Sequence, residues 1–245
     1  LPGMAQTEKL TDYVNPFVGT DGYGNVYPGA QIPFGGIQIS PDTDSRFYDA
    51  ASGYKYNHLT LMGFSLTHLS GTGIPDLGDF LFIPGTGEMK LEPGTHEDPD
   101  QGYRSRYSHD KEWASPNYYA VELADYGVKA EMTSGVRSGM FRFTYPESDN
   151  AFIMIDMNHT LWQSCEWSNL RMINDSTITG YKLVKGWGPE RHVYFTATFS
   201  KKLTGLRFVQ DKKPVIYNTS RFRSSYEAWG KNLMACISFD TKAGE

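Results

Sequence analysis

Cysteine is almost missing from this chain: among 245 residues there are two, Cys165 and Cys236. Two cysteines exclude a disulfide framework, although a single bridge between them stays open. Cys236 lies in the apolar run Leu233-Met234-Ala235-Cys236-Ile237, which favours a buried thiol. Longer apolar runs are absent, so no segment reaches the length of a membrane-spanning helix. The net charge of −5 is mild and no basic run breaks it, which excludes the electrostatic footprint of a nucleic-acid binder. Self-contained catalytic signatures are lacking too. There is no nucleophile elbow, no His-Glu-x-x-His zinc helix and no phosphate-binding glycine loop. The six histidines (58, 68, 96, 109, 159 and 192) show no metal-ligand spacing. Sustained helical periodicity is also missing, save that 224–232 reads equally as a short helix or a loop.

What is there is turn chemistry and alternation. Asn15-Pro16, Gly19 to Gly24, Pro28-Gly29 and Pro33 punctuate the first forty residues, and prolines at that density exclude helix interior. Gly36 to Ser40 reads as a strand; Leu59 to Phe64 and Phe80 to Ile83 are short strand candidates. From residue 118 onward the period is two. Tyr119, Val121 and Leu123 share one face, Val128, Ala130 and Met132 another, and Asp125-Tyr126-Gly127 joins the two runs as a tight hairpin. Phe141, Phe143 and Tyr145 alternate with Arg142 and Thr144. Ile153, Ile155 and Met157 follow, and later Val193, Phe195, Ala197 and Phe199 alternate with polar partners. Strands recurring every ten or so residues predict an all-β fold, a large antiparallel sandwich. Length alone allows one large β domain or two small ones.

One stretch, Gly63 to Asp79, concentrates chemistry. Four glycines in seventeen positions let the backbone turn tightly and approach a ligand closely. Ser70 and Thr72 alternate with Gly71 and Gly73, so hydroxyls and bare N–H groups can face one concavity, as a hydroxyl-rich neutral ligand such as a sugar requires. His68 shares the loop and can hydrogen-bond a hydroxyl. The alternative is an ordinary hairpin loop that binds nothing. Asp76 and Asp79 are the nearest thing to paired carboxylates, but two acids three residues apart on one loop would act from the same side of a bond. They read as turn stabilisers rather than as the separated acid and base of a glycosidase. Asp42-Thr43-Asp44-Ser45 has oxygens at calcium-like spacing without the rest of an EF-hand loop, and reads as a solvated turn. At the start, Gly3-Met4-Ala5 before Gln6 resembles a signal-peptidase site, so residues 1–12 read as a leader remnant and lead-in.

An ordered set of motifs resembles the N-terminal domain of glycoside hydrolase family 92. It runs through Val14-Asn15-Pro16-Phe17-Val18-Gly19-Thr20, Tyr27-Pro28-Gly29-Ala30, Ile32-Pro33-Phe34-Gly35, Ser52-Gly53-Tyr54-Lys55-Tyr56 and Thr67-His68-Leu69-Ser70-Gly71-Thr72-Gly73. It continues through Glu112-Trp113-Ala114-Ser115-Pro116-Asn117-Tyr118-Tyr119, Glu131-Met132-Thr133 and Gly186-Trp187 to Phe239. Asn117 stands where the family often has glycine, and asparagine also tolerates left-handed backbone. Tyr23-Gly24-Asn25-Val26 replaces a stretch that often carries histidine and threonine.

The resemblance implies a β-supersandwich of two stacked antiparallel sheets over residues 13–245, followed in the family by an (α/α)6 helical domain. It implies a calcium-dependent, inverting exo-α-mannosidase, mostly acting on α-1,2 linkages, exported to the periplasm, cell surface or exterior. The catalytic acid and base and most calcium ligands belong to the helical domain, so no catalytic or metal-ligating residue is expected in residues 1–245, which alone would be inactive. The expected partners are a mannose-containing glycan and that helical domain, with no nucleic acid and no membrane span. Ser52, Gly53, Tyr54, His68, Ser70, Gly71, Thr72 and Asp79 are the expected substrate-binding residues. A freestanding lectin-like sandwich using the same loop is the alternative.

Overall fold

The computed structural model of the protein describes residues 8–45, 48–216 and 226–245. The expected leader remnant falls mostly on residues 1–7, outside the described residues. The first strands are β1 (Ala30–Gln31), β2 (Gln38–Asp42), β3 (Thr60–Leu61), β4 (Gly63–Ser65), β5 (Leu81–Thr86) and β6 (Ser105–Arg106). A meander follows: β7 (Glu112–Ser115), β8 (Tyr118–Leu123), β9 (Val128–Ser134) and β10 (Gly139–Thr144). Then come the long strands β11 (Ser148–Asp156), β12 (Ser164–Asn174), β13 (Thr177–Lys185) and β14 (Arg191–Thr198). The chain closes with β15 (Gly205–Gln210), β16 (Lys213–Pro214), β17 (Glu227–Gly230) and β18 (Leu233–Thr241).

These strands form an eight-stranded antiparallel sheet in the order β1-β2-β4-β5-β11-β18-β15-β16, two four-stranded sheets (β10-β9-β8-β7 and β14-β13-β12-β17) and the small pair β3-β6. Both four-stranded sheets contribute to one core cluster on the same face of the large sheet. Phe82 marks the junction, its ring 5.1 Å from Phe141 of β10 and 6.0 Å from Phe195 of β14. The large sheet is covered on both faces. Ile153 and Ile155 of β11 with Ala235 and Ile237 of β18 face the main core, while Phe152, Met154, Met234 and Cys236 face a second cluster under Tyr103, Met89 and Leu91. Double coverage explains why Leu233 to Ile237 reads as an unbroken apolar run rather than an alternating one. Burying each large side chain there contributes about 1.5–3 kcal/mol.

The all-β sandwich expected from alternation is the architecture observed. The Leu123–Val128 pairing closes the hairpin expected at 125–127. Asn117 takes φ 59° between β7 and β8, the left-handed backbone that its glycine-like position requires. Three readings need correction or completion. Asp42, Thr43 and Asp44 do not form a solvated turn: all three are fully buried. The described part of 224–232 is neither helix nor loop but holds β17, whose Ser168↔Gly230 to Arg171↔Glu227 register extends the β12 sheet. Cys165 and Cys236 are buried free thiols, each shifted upward in pKa by burial.

Candidate functional site

The loop between β4 and β5 is pinched at its neck and open at its tip. At the neck, Leu66 N donates to Asp79 O (2.9 Å), Gly78 N to Thr67 O (2.8 Å) and the Thr67 hydroxyl to Asp79 Oδ2 (2.8 Å). Three other segments clamp the loop from outside. Gly71 N donates to Asn25 O (2.7 Å), Leu161 N to Leu77 O (2.9 Å) and Trp187 N to Asp76 Oδ2 (3.0 Å). Ser70, Gly71 and Gly73 are exposed at the tip, and Thr72 is half-buried with its hydroxyl on Ile74 O (3.2 Å). Gly71 has φ 75° and a Cβ there would meet nothing within 4 Å, so the space over its backbone is free.

Under the loop lies a buried charge cluster. Asp79 has no exposed side-chain surface, and neither has Lys182, whose Nζ lies 3.1 Å from Asp79 Oδ1 as a charge contact without hydrogen-bond alignment. Arg191 bonds Asp79 Oδ2 from the other side. Burial by itself would raise the Asp79 carboxyl; the Lys182 and Arg191 charges overcome it and hold the group below its ordinary pKa. Lys182 also donates to His159 O (2.6 Å).

A second hub sits on Asp42 at the end of β2. Its Oδ1 meets His68 Nε2 at 2.7 Å and its Oδ2 meets His159 Nε2 at 2.8 Å. His68 Nδ1 faces Gln38 O at 2.7 Å, so both ring nitrogens are engaged inside the protein. Burial pushes the Asp42 carboxyl up, but His68 and His159 outweigh it and leave the carboxyl well below the usual range. Gly53 packs directly against this pair. With φ 86°, it would place a Cβ 2.1 Å from Asp42 Oδ1 and 3.2 Å from His68 Cδ2. The neighbouring Tyr54 is anchored by its hydroxyl on Glu112 (3.0 Å), a carboxylate that also accepts from Tyr119 (2.5 Å) and contacts His109 Nδ1 (2.6 Å). Burial first, then Tyr107 and Glu112, push the Tyr54 phenol far above its ordinary pKa, so it stays a donor.

The eight residues singled out from the sequence therefore divide by depth. Ser70, Gly71 and Thr72 are at the accessible tip. Ser52, Gly53, Tyr54, His68 and Asp79 are buried beneath it, with the His68 ring turned inward and engaged at both nitrogens. Sequence reasoning did not single out His159, Lys182 or Glu112, and it read Asp42 as part of a solvated turn; these are the groups that hold the buried residues in place. Asp76, read as a turn stabiliser, accepts from Leu77 N (2.6 Å) and Trp187 N (3.0 Å), so it ties two loops together. For calcium, the oxygens nearest to EF-hand spacing are committed elsewhere: Asp42 to two histidines and Asp44 to His96 at 3.3 Å. Among the described residues no group of three or more His, Cys, Asp or Glu is arranged to hold a metal ion. The described residues do not fit a calcium site.

Residues 13–245 match the model of the glycosyl hydrolase family 92 N-terminal domain. The chain is 30% identical over 139 residues to an uncharacterized secreted glycosidase of Arthroderma benhamiae, covering 56% of this chain and 17% of that protein. It superposes on the family 92 glycosyl hydrolase ccman5 with a TM-score of 0.76 at 27% identity, over 94% of this chain and 30% of that one. The family 92 inverting mannosidase BT2199 of Bacteroides thetaiotaomicron gives a TM-score of 0.77 at 24% identity, over 98% and 31% of the two chains, and supports the fold alone. The chain thus spans less than a third of the length of each of these relatives. With its motifs, its two-layered sheets and a match over nearly its whole length, the chain belongs to the glycosyl hydrolase family 92 N-terminal domain family.

Proposed function

We propose that this chain is the substrate-binding half of an exported, calcium-dependent, inverting exo-α-mannosidase that removes α-1,2-linked mannose. The observation that carries the reading is the Ser70-to-Gly73 tip: a rigidly clamped, solvent-facing turn with free space over the Gly71 backbone. Short donors and acceptors on a rigid turn suit a sugar ring, because a hydroxyl lost by an ångström is a hydrogen bond lost. In this reading Ser70, Gly71 and Thr72 touch the mannose, while Ser52, Gly53, Tyr54, His68 and Asp79 hold that surface from behind.

The acid and base come from elsewhere, for a physical reason. Asp76 is spent on two backbone N–H groups, and Asp79 is neutralised by Lys182 and Arg191. A general acid needs a raised pKa, whereas that of Asp79 is lowered. Inversion needs two carboxyl groups about 6.5–9.5 Å apart across the scissile bond, and this loop offers no free pair. The reading therefore assigns acid, base and calcium to a helical catalytic domain. Export draws support from the secreted relative, and no helix of the described residues is long and apolar enough to cross a membrane.

Mannose release from α-1,2-mannobiose tests the proposal. The intact protein should release mannose as the β-anomer, residues 1–245 alone should release none, and Gly71→Val in the intact protein should lower kcat/KM at least a hundredfold. Wild-type kinetics in Gly71→Val would overturn the site, and release by residues 1–245 would overturn the division of labour.

A further inference from the structure

At the far end of β11, on the outer face of the large sheet, lies a half-open cavity of about 710 Å³. Its floor is apolar, with Met62, Val209 and Met234 from the second cluster. Its walls are polar, with Asp156, Asn158 and Gln163 among them, and the Trp162 indole stands at the rim. Volumes of about 300–1,000 Å³ are those of small-molecule sites. We propose that this cavity is a saccharide-binding cleft in which the Trp162 ring stacks on a neutral sugar.

Trp162 carries the argument. Its backbone is left-handed, φ 64°, a conformation that bulky residues rarely adopt. The other left-handed residues on this rim, Asp211, Lys212 and Asn232, sit in the turns that join β15 to β16 and β17 to β18, where such residue types are ordinary. Trp162 has no such excuse. The turn that holds it is rigid: the Thr160 hydroxyl donates to Gln163 O (2.8 Å) and accepts from Gln163 N (3.1 Å), while Trp162 N donates to Thr160 O (3.1 Å). Tyr48 supports the indole edge-on at 4.7 Å, yet 53% of the tryptophan stays exposed. A fixed turn that presents a large aromatic to solvent instead of burying it fits a platform, and an observed backbone outlier is a legitimate pointer to function.

The walls select the ligand class. Lys212 is paired with Glu92 at 2.7 Å, and the carboxylates of Asp156 and Asp211 outnumber what remains of positive charge, so an anion is disfavoured. Asn158, exposed, and Asp156, half-buried and accepting from Asn158 N at 2.8 Å, place hydrogen-bonding groups in the same cavity as the ring. An aromatic face in a cavity that also holds amide and carboxylate groups matches a pyranose, which has a C–H face and a rim of hydroxyls. The inference goes beyond the loop reading and takes from it only the choice of probe.

Calorimetric titration of the intact protein with a sulfur-linked α-1,2-mannobiose, which hydrolases do not cleave, tests it. Gly71→Val serves as the background that closes the loop tip. In that background binding should persist, Trp162→Gly should weaken it at least tenfold, and Trp162→Tyr should restore most of it. Glycine keeps the left-handed backbone, so the loss reports the ring and not the turn; a melting temperature within a few degrees of the parent confirms folding. Asn158→Ala, at an exposed position, should also weaken binding and serves if Trp162→Gly does not fold. Loss of all binding in Gly71→Val alone would overturn the cleft and leave the loop reading standing. Unchanged affinity in Trp162→Gly or Asn158→Ala would overturn it as well. Binding abolished by Trp162→Gly alone, and untouched by Gly71→Val, would support the cleft and overturn the loop.

Discussion

Gly53 and Gly71 both sit in the left-handed region, at φ 86° and 75°, yet alanine at the two positions should behave very differently. At Gly71 the new Cβ meets nothing, so the cost is that of the backbone alone, about 1–2 kcal/mol. At Gly53 the Cβ would lie 2.1 Å from Asp42 Oδ1, closer than real Cβ contacts come, and something must shift by about an ångström. Asp42 is the part that can yield, and its 2.7 Å contact with His68 goes with it. A charged hydrogen bond is worth about 1.5–3 kcal/mol, so Gly53→Ala should cost about 2.5–5 kcal/mol in total. For a chain of this size that is a fall in Tm of roughly 5–20 °C, against about 2–8 °C for Gly71→Ala. Urea and thermal unfolding of both variants measure the difference. Adding Asp42→Ala to Gly53→Ala removes the clash, so the double variant should cost clearly less than the sum of its parts. Equal destabilisation by the two alanines, or strict additivity in the double variant, would refute the idea that Asp42 is held by the glycine beside it.

Asp79→Ala should cost about 3–5 kcal/mol in urea unfolding, because it leaves the fully buried Lys182 without its anion; a loss below about 1 kcal/mol would contradict that account. Glu131 is held at a pKa of about 2, against 4.5 unfolded, first by its hydrogen bonds to Arg142. A folded value below the unfolded one means its stabilisation is complete above about pH 4.5 and is lost as pH falls toward 2. Arg142→Ala should therefore flatten the dependence of Tm on pH between 2 and 5, and an unchanged slope would count against the pair. Cys165 and Cys236 should take up two thiol labels in denaturant and react slowly at neutral pH in the folded protein, without prior reduction. A protein that needs reduction before labelling would contain a bridge.

The antiparallel sandwich was legible because one face of the β7–β10 and β12–β14 sheets meets the core while the other meets solvent. Val193, Phe195 and Ala197 lean into the core from β14 while His192, Tyr194 and Thr196 stay exposed, which is alternation in its plainest form. Strands covered on both faces are harder to read. In β18 the period vanishes, and only the apolar run marks the strand. β17 escaped altogether, since Glu-Ala-Trp-Gly is too short to show a period and owes its form to pairing with β12, a partner some sixty residues away. The order of strands in the large sheet could not be read either. It depends on long-range pairings such as β5 with β11 and β15 with β18, which leave no local trace.

The tip of the loop was legible for the same reason that it is accessible: Ser70, Gly71 and Thr72 are small residues in a turn, and turn chemistry is local. Its support was not, because the groups that make it lie far apart in the chain. Asp42 meets His68 from 26 positions away and His159 from 117. Burial of Asp42 to Asp44 inverted the natural reading of an Asp-Thr-Asp run as surface, since the partners that make burial tolerable come from other segments. Lys182 is the instructive exception. In β13 it falls in step with Ile178, Gly180 and Val184, the inward positions of the strand. A lysine in that register must either face the core or break the alternation, and a core lysine needs buried acceptors, an anion foremost. The alternation thus calls for a buried polar partner opposite β13, with a carboxylate the best suited. Asp79, the acid at the neck of the glycine-rich loop, answers that demand, so one misplaced charge in a periodic strand points across the core to the loop it stabilises.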